Sequence, residues 1–407
     1  MIRYHASWVV PIAGRPVRDA WVTVDSGRVV ALGSNGRPTH GADVSEVDLS
    51  GWVLMPGLIN AHTHLELSYM RDRIPRSSSF VAWVRDVMAA RRQQPDPRAP
   101  GIMSAIEVAI AEMTASGTIG VGDISNTLAT FEPLTRSGLS AVVFYELIRF
   151  KTPDPTALVG NARREIDALS ASERVTPSLA AHAPYSVAPL VFRAITHELE
   201  DTSKPCSVHL SESREEVEFI QSGGGPWRTL LQELGVWDDA WVAPQVSPVQ
   251  YLDESGFLHK HALIVYGVHM TESDLTRLVE RGSTLVTCPR SNAYTGAGSP
   301  PLEQFYSSGV RVAVGTDSLA SVPDLNLFAE LAVMRRLARS VPASALLESA
   351  TRHGAASLGF EADYGTIEPG RRARLLGVAI PARTTDVEEY LVSGIMPEQI
   401  RWIDDVG

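Results

Sequence analysis

Two histidines one residue apart, His62 and His64, close the apolar run WVLMPGLINA in the stretch NAHTHLEL. Side chains alternate across a β-strand, so positions i and i+2 share a face. Two imidazoles on one face at a strand end can begin a metal site, or they can simply be polar residues at a solvated edge. His182, His209 and His269 also stand at or just after short apolar runs, and Asp317 follows another in AVGTDS. A divalent ion takes imidazole nitrogens and carboxylate oxygens at about 2 Å, and a catalytic site keeps one position open for water. His62, His64, His209 and Asp317 offer such a shell. Read singly, His209 is a hydrogen-bonded core histidine and Asp317 a helix cap. Glu212 follows His209 by three residues in HLSES. There a carboxylate can take a proton from a metal-acidified water and pass it to a leaving nitrogen. The plain alternative for Glu212 is a solvated residue before the acidic helix REEVE.

Such a set works only if distant segments converge. From about residue 52, short β-branched runs alternate with segments of helical period. The pattern predicts strands near 52–60, 118–123, 140–147, 176–182, 205–210, 262–268, 283–288 and 311–316. Helices are expected at 80–92, 101–116, 156–170, 187–199, 271–281 and 325–338. Alternation of this kind gives a parallel sheet, and eight units give an α/β fold, the (β/α)8 TIM barrel. Barrel sites sit at the C-terminal strand ends, where these residues fall. Residues 1–55 carry β-rich runs around the hairpin signal Asp25-Ser26-Gly27, and 366–407 resume that character. We therefore expect a composite β-sandwich from 1–55 and 366–407, a barrel over 56–365, and an insertion near 222–250 over its mouth.

Composition narrows the classes. A chain of 407 residues with 44% hydrophobic and 20% charged residues suits a globular enzyme. A net charge of −11 argues against a nucleic-acid partner. No window of about 18 apolar residues suggests a membrane span, and the N-terminal stretch lacks a signal-peptide pattern. Two cysteines, Cys206 and Cys288, make no disulfide framework and fit a reducing cytoplasm.

The pieces PGLINAHTH (56–64), HAPYS (182–186), HLSE (209–212), CPRSN (288–292) and GTDS (315–318) resemble the amidohydrolase superfamily. Within it they look like the aminohydrolases that deaminate purine-like rings. VDSGRVVALG and GTIEPGRRARL resemble the flanking β domain of that family. HLEL, SFVAWV, GGGPW and the CPRSN–GTDSLAS pair are most similar to the aminodeoxyfutalosine deaminases of menaquinone biosynthesis. The resemblance implies one zinc or iron ion, zinc first, on His62, His64, His209 and Asp317. It also implies a proton shuttle at Glu212, a water-bridging role for Asp317, and His182 near a sugar or beside the metal. One departure stands out. Where relatives carry histidine at the end of strand six, this chain has VYGVHM, with Tyr266 first and His269 three residues on. A phenol donates a hydrogen bond but is a poor base near neutral pH. Either Tyr266 serves as donor, His269 turns inward, or deamination is impaired.

Substrate contacts are expected from Trp83, by stacking, and from Arg91 or Arg92, whose guanidinium can grip a carboxylate. Glu146 and Ser291 complete the candidates. Trp83 can instead pack in the outer layer, and the two arginines can simply lie solvated at a helix end. The first functional reading is hydrolytic deamination of an adenine-type nucleoside. The second keeps the scaffold and changes the leaving group, as in hydrolases of guanine, S-adenosylhomocysteine, cyclic amides or chlorotriazines. The third is a ligand-binding barrel that has lost turnover at Tyr266. The expected partner is a small purine-like molecule, and a homodimer is the default assembly.

Overall fold

The structure, a computed structural model, describes residues 1–34 and 44–403. The flanking domain expected over 1–55 and 366–407 falls outside the described residues at 35–43 and 404–407. The chain opens with β1 (Ile2–Val9), β2 (Val17–Asp25), β3 (Arg28–Ser34) and β4 (Ser45–Pro56). β2 and β3 form the hairpin signalled by Asp25-Ser26-Gly27. Ser26 (φ 49°) and Gly27 (φ 72°) both adopt the left-handed conformation that a two-residue turn requires.

Eight parallel strands follow: β5 (Leu58–Thr63), β6 (Thr118–Ser125), β7 (Ser140–Leu147), β8 (Val175–Ala181), β9 (Cys206–Leu210), β10 (Ala262–Tyr266), β11 (Thr284–Thr287) and β12 (Arg311–Val314). Each pairs with its sequence neighbour, in the order β5 through β12. Helices fill the crossovers, among them α1 (Phe80–Arg92) and α2 (Pro100–Ala115) between β5 and β6. Finally β13 (Leu375–Ala379) and β14 (Ile400–Ile403) join the first four strands in a mixed sheet ordered β14-β13-β4-β1-β2-β3. The α/β barrel with a sheet built from both termini is thus present. No described helix is long and apolar enough to cross a membrane.

Strand alternation explains the layers. On β7, Val142 and Phe144 join an apolar cluster inside the barrel, while Ala141 and Val143 pack with the helix layer. Glu146 continues the inward parity, which turns its carboxyl to the barrel mouth. A further cluster, including Tyr4, Val22, Leu375 and Ile403, belongs to the terminal sheet.

Three sequence expectations change in detail. The run 52–60 is two strands in two sheets, because Pro56 ends β4 and the chain turns at Gly57, where a Cβ would lie 2.6 Å from Ile119. The stretch 222–250, expected to be an insertion, contains the helix Gly225–Glu233. The C-terminal part, 366–407, adds a short helix, Val387–Leu391, between β13 and β14.

The barrel seam lies between β12 and β5. It closes just past the end of β12, where the His62 carbonyl of β5 accepts the amides of Thr316 and Asp317, each at 3.1 Å. Gly315 permits this approach, since a Cβ there would sit 2.6 Å from that carbonyl oxygen.

Candidate active site

The convergence happens at this seam. His62 lies near the end of β5 and His64 one residue beyond it; His209 lies on β9, and Asp317 follows β12. Simple alternation from the inward Ile59 and Ala61 would turn His62 outward. A register irregularity between Asn60 and Thr63 re-aims it. One ligand atom each from His62, His64 and His209 falls within 4.8 Å of the others. His64 Nε2 is 3.6 Å from Asp317 Oδ1, while Asp317 Oδ2 accepts Ser291 Oγ at 2.5 Å and Ser321 Oγ at 3.1 Å. Ser211 (φ 52°), Tyr266 (φ 83°) and Asp317 (φ 62°) hold left-handed backbone around this point. Such strain costs about 1–3 kcal/mol per residue and gathers where geometry serves function.

Burial sets the protonation. It pushes His62 down to about 3, and it drives His64 and His209 well below the usual imidazole range, helped by their mutual proximity. Neutral imidazole is the form that ligates. Both ring nitrogens of His62, and Nε2 of His209, are buried without a hydrogen-bond partner. Orphaned buried polar atoms are rare in folded proteins. Three neutral imidazoles, two of them with unpartnered nitrogens, beside a carboxylate form a donor set that fits a divalent cation.

Glu212 is 3% exposed at the same rim. Burial raises its carboxyl well above the ordinary range, and Asp317 and Glu216 add to the shift. Glu216 holds the turn beneath it by accepting the Ser211 and Glu212 amides at 2.8 and 2.9 Å. Tyr266 ends β10 with its ring 5.2 Å from that of His209 and 5.7 Å from that of His62. Its hydroxyl faces Asp317, and burial, with Asp317 and Glu212 adding to it, raises it well above 10, so it remains a donor. His269 does not join this group. Gly267 (φ 67°) turns the chain away, and His269 Nε2 meets the Ala297 carbonyl at 2.8 Å on the wall of another cavity. His182 does join: its Nδ1 is 2.6 Å from Ser186 Oγ, and its ring packs edge-on to His209.

His64, His182, His209, Glu212, Tyr266 and Asp317 floor a cavity of about 800 Å³. That volume lies within the range of small-molecule sites. Trp83 lines it, stacked on Phe80, and Arg92 lies exposed at its edge. Arg91 is committed internally to Glu66 and Asn126 at 2.9 and 2.7 Å. Glu146 lines the cavity beside His209, whereas Ser291 is engaged with Asp317. Sequence reasoning missed Tyr185 and Trp227, stacked at 3.6 Å on one wall, and Arg149 and Lys151 on another. GGGPW carried a signal for Trp227, an aromatic in a segment expected over the mouth. Asn126, Arg149 and Lys151 lie in loops without a motif.

Comparison with known proteins agrees with this geometry. A 5-methylthioadenosine/S-adenosylhomocysteine deaminase of Halobacterium salinarum is 30% identical over 389 residues, covering 92% of this chain and 83% of the relative. An aminodeoxyfutalosine deaminase of Deinococcus radiodurans is 29% identical over 315 residues, covering 75% and 73% respectively. The crystal structure of Helicobacter pylori aminofutalosine deaminase in complex with methylthio-coformycin gives a TM-score of 0.85 at 26% identity, covering 99% of this chain and 97% of that one. The model of the amidohydrolase family matches residues 53–394. The chain belongs to the amidohydrolase family and is a hydrolytic enzyme acting on C–N bonds.

Proposed function

We propose that this protein hydrolytically deaminates an adenine-type nucleoside, consuming water and releasing ammonia. The observation that carries the reading is the floor of the cavity, where a buried proton carrier, Glu212, stands beside a ligand-competent cluster of neutral imidazoles. His62, His64, His209 and Asp317 would hold the divalent ion, zinc before iron. When bound, such an ion acts as a Lewis acid and acidifies water. Glu212 takes the proton of the attacking water and delivers it to the departing nitrogen. Its burial raises its proton affinity, as a carrier working near neutral pH requires. Asp317, fixed by Ser291 and Ser321, orients the attacking water. Tyr266 donates to Asp317, in place of the strand-six histidine of relatives.

For the substrate we propose an aminodeoxyfutalosine-like nucleoside, which places the enzyme in menaquinone biosynthesis. Beyond the aromatic walls the cavity reaches Arg92, Arg149 and Lys151, none of which has an ion pair among the described residues. A carboxylate at the far end of the substrate would meet this cationic side. Two buried free thiols, Cys206 and Cys288, suit a cytoplasmic location. The relatives that act on methylthioadenosine and S-adenosylhomocysteine supply the second reading. The test is ammonia release from aminodeoxyfutalosine, S-adenosylhomocysteine, methylthioadenosine and adenosine by metal-loaded protein, with chloride release from a chlorotriazine as the control. The proposal expects the carboxylated nucleosides to lead, with aminodeoxyfutalosine first. No ammonia from any adenine nucleoside by fully loaded protein would refute it.

A further inference from the structure

We infer that Glu146 is a positioning residue that sets the tautomer of His209, and that hydrogen bonds of fixed polarity through Asn126, Arg91 and Glu66 hold Glu146 in turn. The inference rests on the metal reading of the site proposed above. It starts at Glu66, on the 3-10 turn Leu65–Met70 that follows His64. This carboxylate is 5% exposed, accepts Ser125 Oγ at 2.8 Å and Thr127 Oγ1 at 2.9 Å on one oxygen, and accepts Arg91 Nη2 at 2.9 Å on the other. A guanidinium can only donate. Arg91 Nη1 reaches the Asn126 side chain at 2.7 Å, so the amide oxygen must face Arg91 and the amide nitrogen must face away. That nitrogen donates to Glu146 Oε2 at 2.7 Å and to the Glu146 carbonyl at 3.3 Å.

One carboxyl oxygen of Glu146 remains. Oε1 lies 3.7 Å from His209 Nδ1. A carboxylate oxygen there favours the proton on Nδ1 and leaves the Nε2 lone pair free. Nε2 is the nitrogen of His209 that is buried without a partner. Ligating histidines commonly present their second nitrogen to such a carboxylate, which fixes both ring orientation and tautomer. Arg91, which can only donate, fixes the direction of the links through Asn126 to Glu146 Oε2, and an ionised Glu146 then presents only an acceptor to His209. The series runs from the turn after β5, through the ends of α1 and β6, to β7 and β9. It therefore ties the His64 segment to the His209 ring. His182, on the intervening strand end, has its own device. Ser186 Oγ donates to the Ala183 carbonyl at 3.1 Å and so accepts from His182 Nδ1.

Exchanging the acid and the amide tests the polarity. In E146Q, Asn126 still donates toward position 146, so the introduced amide turns its oxygen to Asn126 and its NH2 to His209. The proton is then forced onto Nε2. Metal affinity should fall by about 10–100-fold, the usual consequence of losing such a partner. N126D sets two carboxylates face to face and should also weaken binding. The double variant N126D/E146Q restores the direction: the carboxylate at 126 accepts from Arg91 and from the introduced amide, whose oxygen then faces His209. It should regain the parent's affinity to within a few fold, a rescue that mere packing would not produce.

The measurements are Co2+ titration of metal-free full-length protein against a chromophoric chelator and nitrogen-15 NMR of the histidine tautomers. Nδ1–H at His209 in the parent and double variant, with Nε2–H in E146Q, is the expected result. Unchanged affinity in E146Q, or a double variant no better than E146Q, would overturn the inference. Glu146, His182 and His209 also present a donor triad within 4.8 Å. Two Co2+ per parent chain, with one lost in E146Q, would assign Glu146 to a second cation site and overturn it too. A parent that binds no Co2+ but shows the expected tautomers would refute the metal reading and leave the polarity argument standing.

Discussion

Gly315→Ala tests whether the closed seam of the barrel positions the site. The backbone of Gly315 lies outside the left-handed region, so alanine faces a problem of space alone. Its Cβ would lie 2.6 Å from the His62 carbonyl oxygen, 2.7 Å from His62 Cβ and 2.9 Å from His62 N. None of these contacts is with the end of a flexible side chain, so no rotamer relieves them. Reaching an ordinary contact of 3.4 Å requires the end of β5 and the segment before Asp317 to part by about 0.8 Å. The same movement stretches the amide bonds from Thr316 and Asp317 to the His62 carbonyl. Overpacking of this kind costs about 1–3 kcal/mol in stability. Displacing positioned groups by about 1 Å can cost roughly 10²-fold in rate. The variant should therefore lose about two decades of kcat/KM for ammonia release, bind metal more weakly and melt at a lower temperature. Gly101→Ala is the control: it sits exposed in α2 with nothing within 4 Å of its ideal Cβ, and it should be neutral or stabilising. If Gly315→Ala matches the parent in metal affinity, turnover and melting temperature, the seam does not set the ligand geometry and the reasoning fails.

Three further outcomes follow from the site. Glu212→Gln keeps the shape of the side chain and removes the proton carrier, so kcat for ammonia release should fall by about 10²–10⁴-fold with metal content unchanged; retention of most of the activity would assign the proton to another group. Tyr266→Phe removes the hydroxyl that faces the buried Asp317, where a hydrogen bond to the carboxylate would be worth about 1.5–3 kcal/mol. A fall in kcat of one to two decades at constant metal content is expected, and an unchanged kcat would reduce Tyr266 to packing. Chelation should lower the melting temperature, since an ion at about 1,000 times its Kd stabilises the folded state by about 4 kcal/mol. Coincident melting curves for metal-free and metal-loaded protein would remove the ion from the site.

The barrel was legible because its strands repeat a simple signal. Runs such as SAVVFYEL and CSVHL are buried on both faces, and strands of that kind read as continuous apolar segments between amphipathic helices. α1 was expected at 80–92, and there it lies, from Phe80 to Arg92, with the Ser79 side chain capping it. The candidate ligands were legible for a related reason: strand ends in a barrel converge, so residue type at those ends is informative. The i, i+2 argument for His62 and His64 was nevertheless incomplete. An irregularity in register, which composition does not announce, turns His62 inward. His269 shows the same limit from the other side. Its place three residues past a strand end was compatible with the site, but the Gly267 turn and the Ala297 carbonyl commit it elsewhere.

Tyr266 shows what local backbone decides in this fold. Leu263 and Val265 share the interior cluster, so regular alternation would send residue 266 to the helix layer. A left-handed φ of 83° at that residue keeps the ring inside, against His62 and His209. For a bulky residue this conformation is strained, and it persists only where its surroundings over-determine it. Here those surroundings are two candidate ligands and the Asp317 carboxylate. A tyrosine retained only as filler could reach the helix layer without strain by following the strand's own parity. The strain therefore argues that the phenol is held where its hydroxyl can serve Asp317. It gives Tyr266 a physical meaning: a hydrogen-bond donor stands at the end of β10, and on the proposed mechanism proton transfer is left to Glu212.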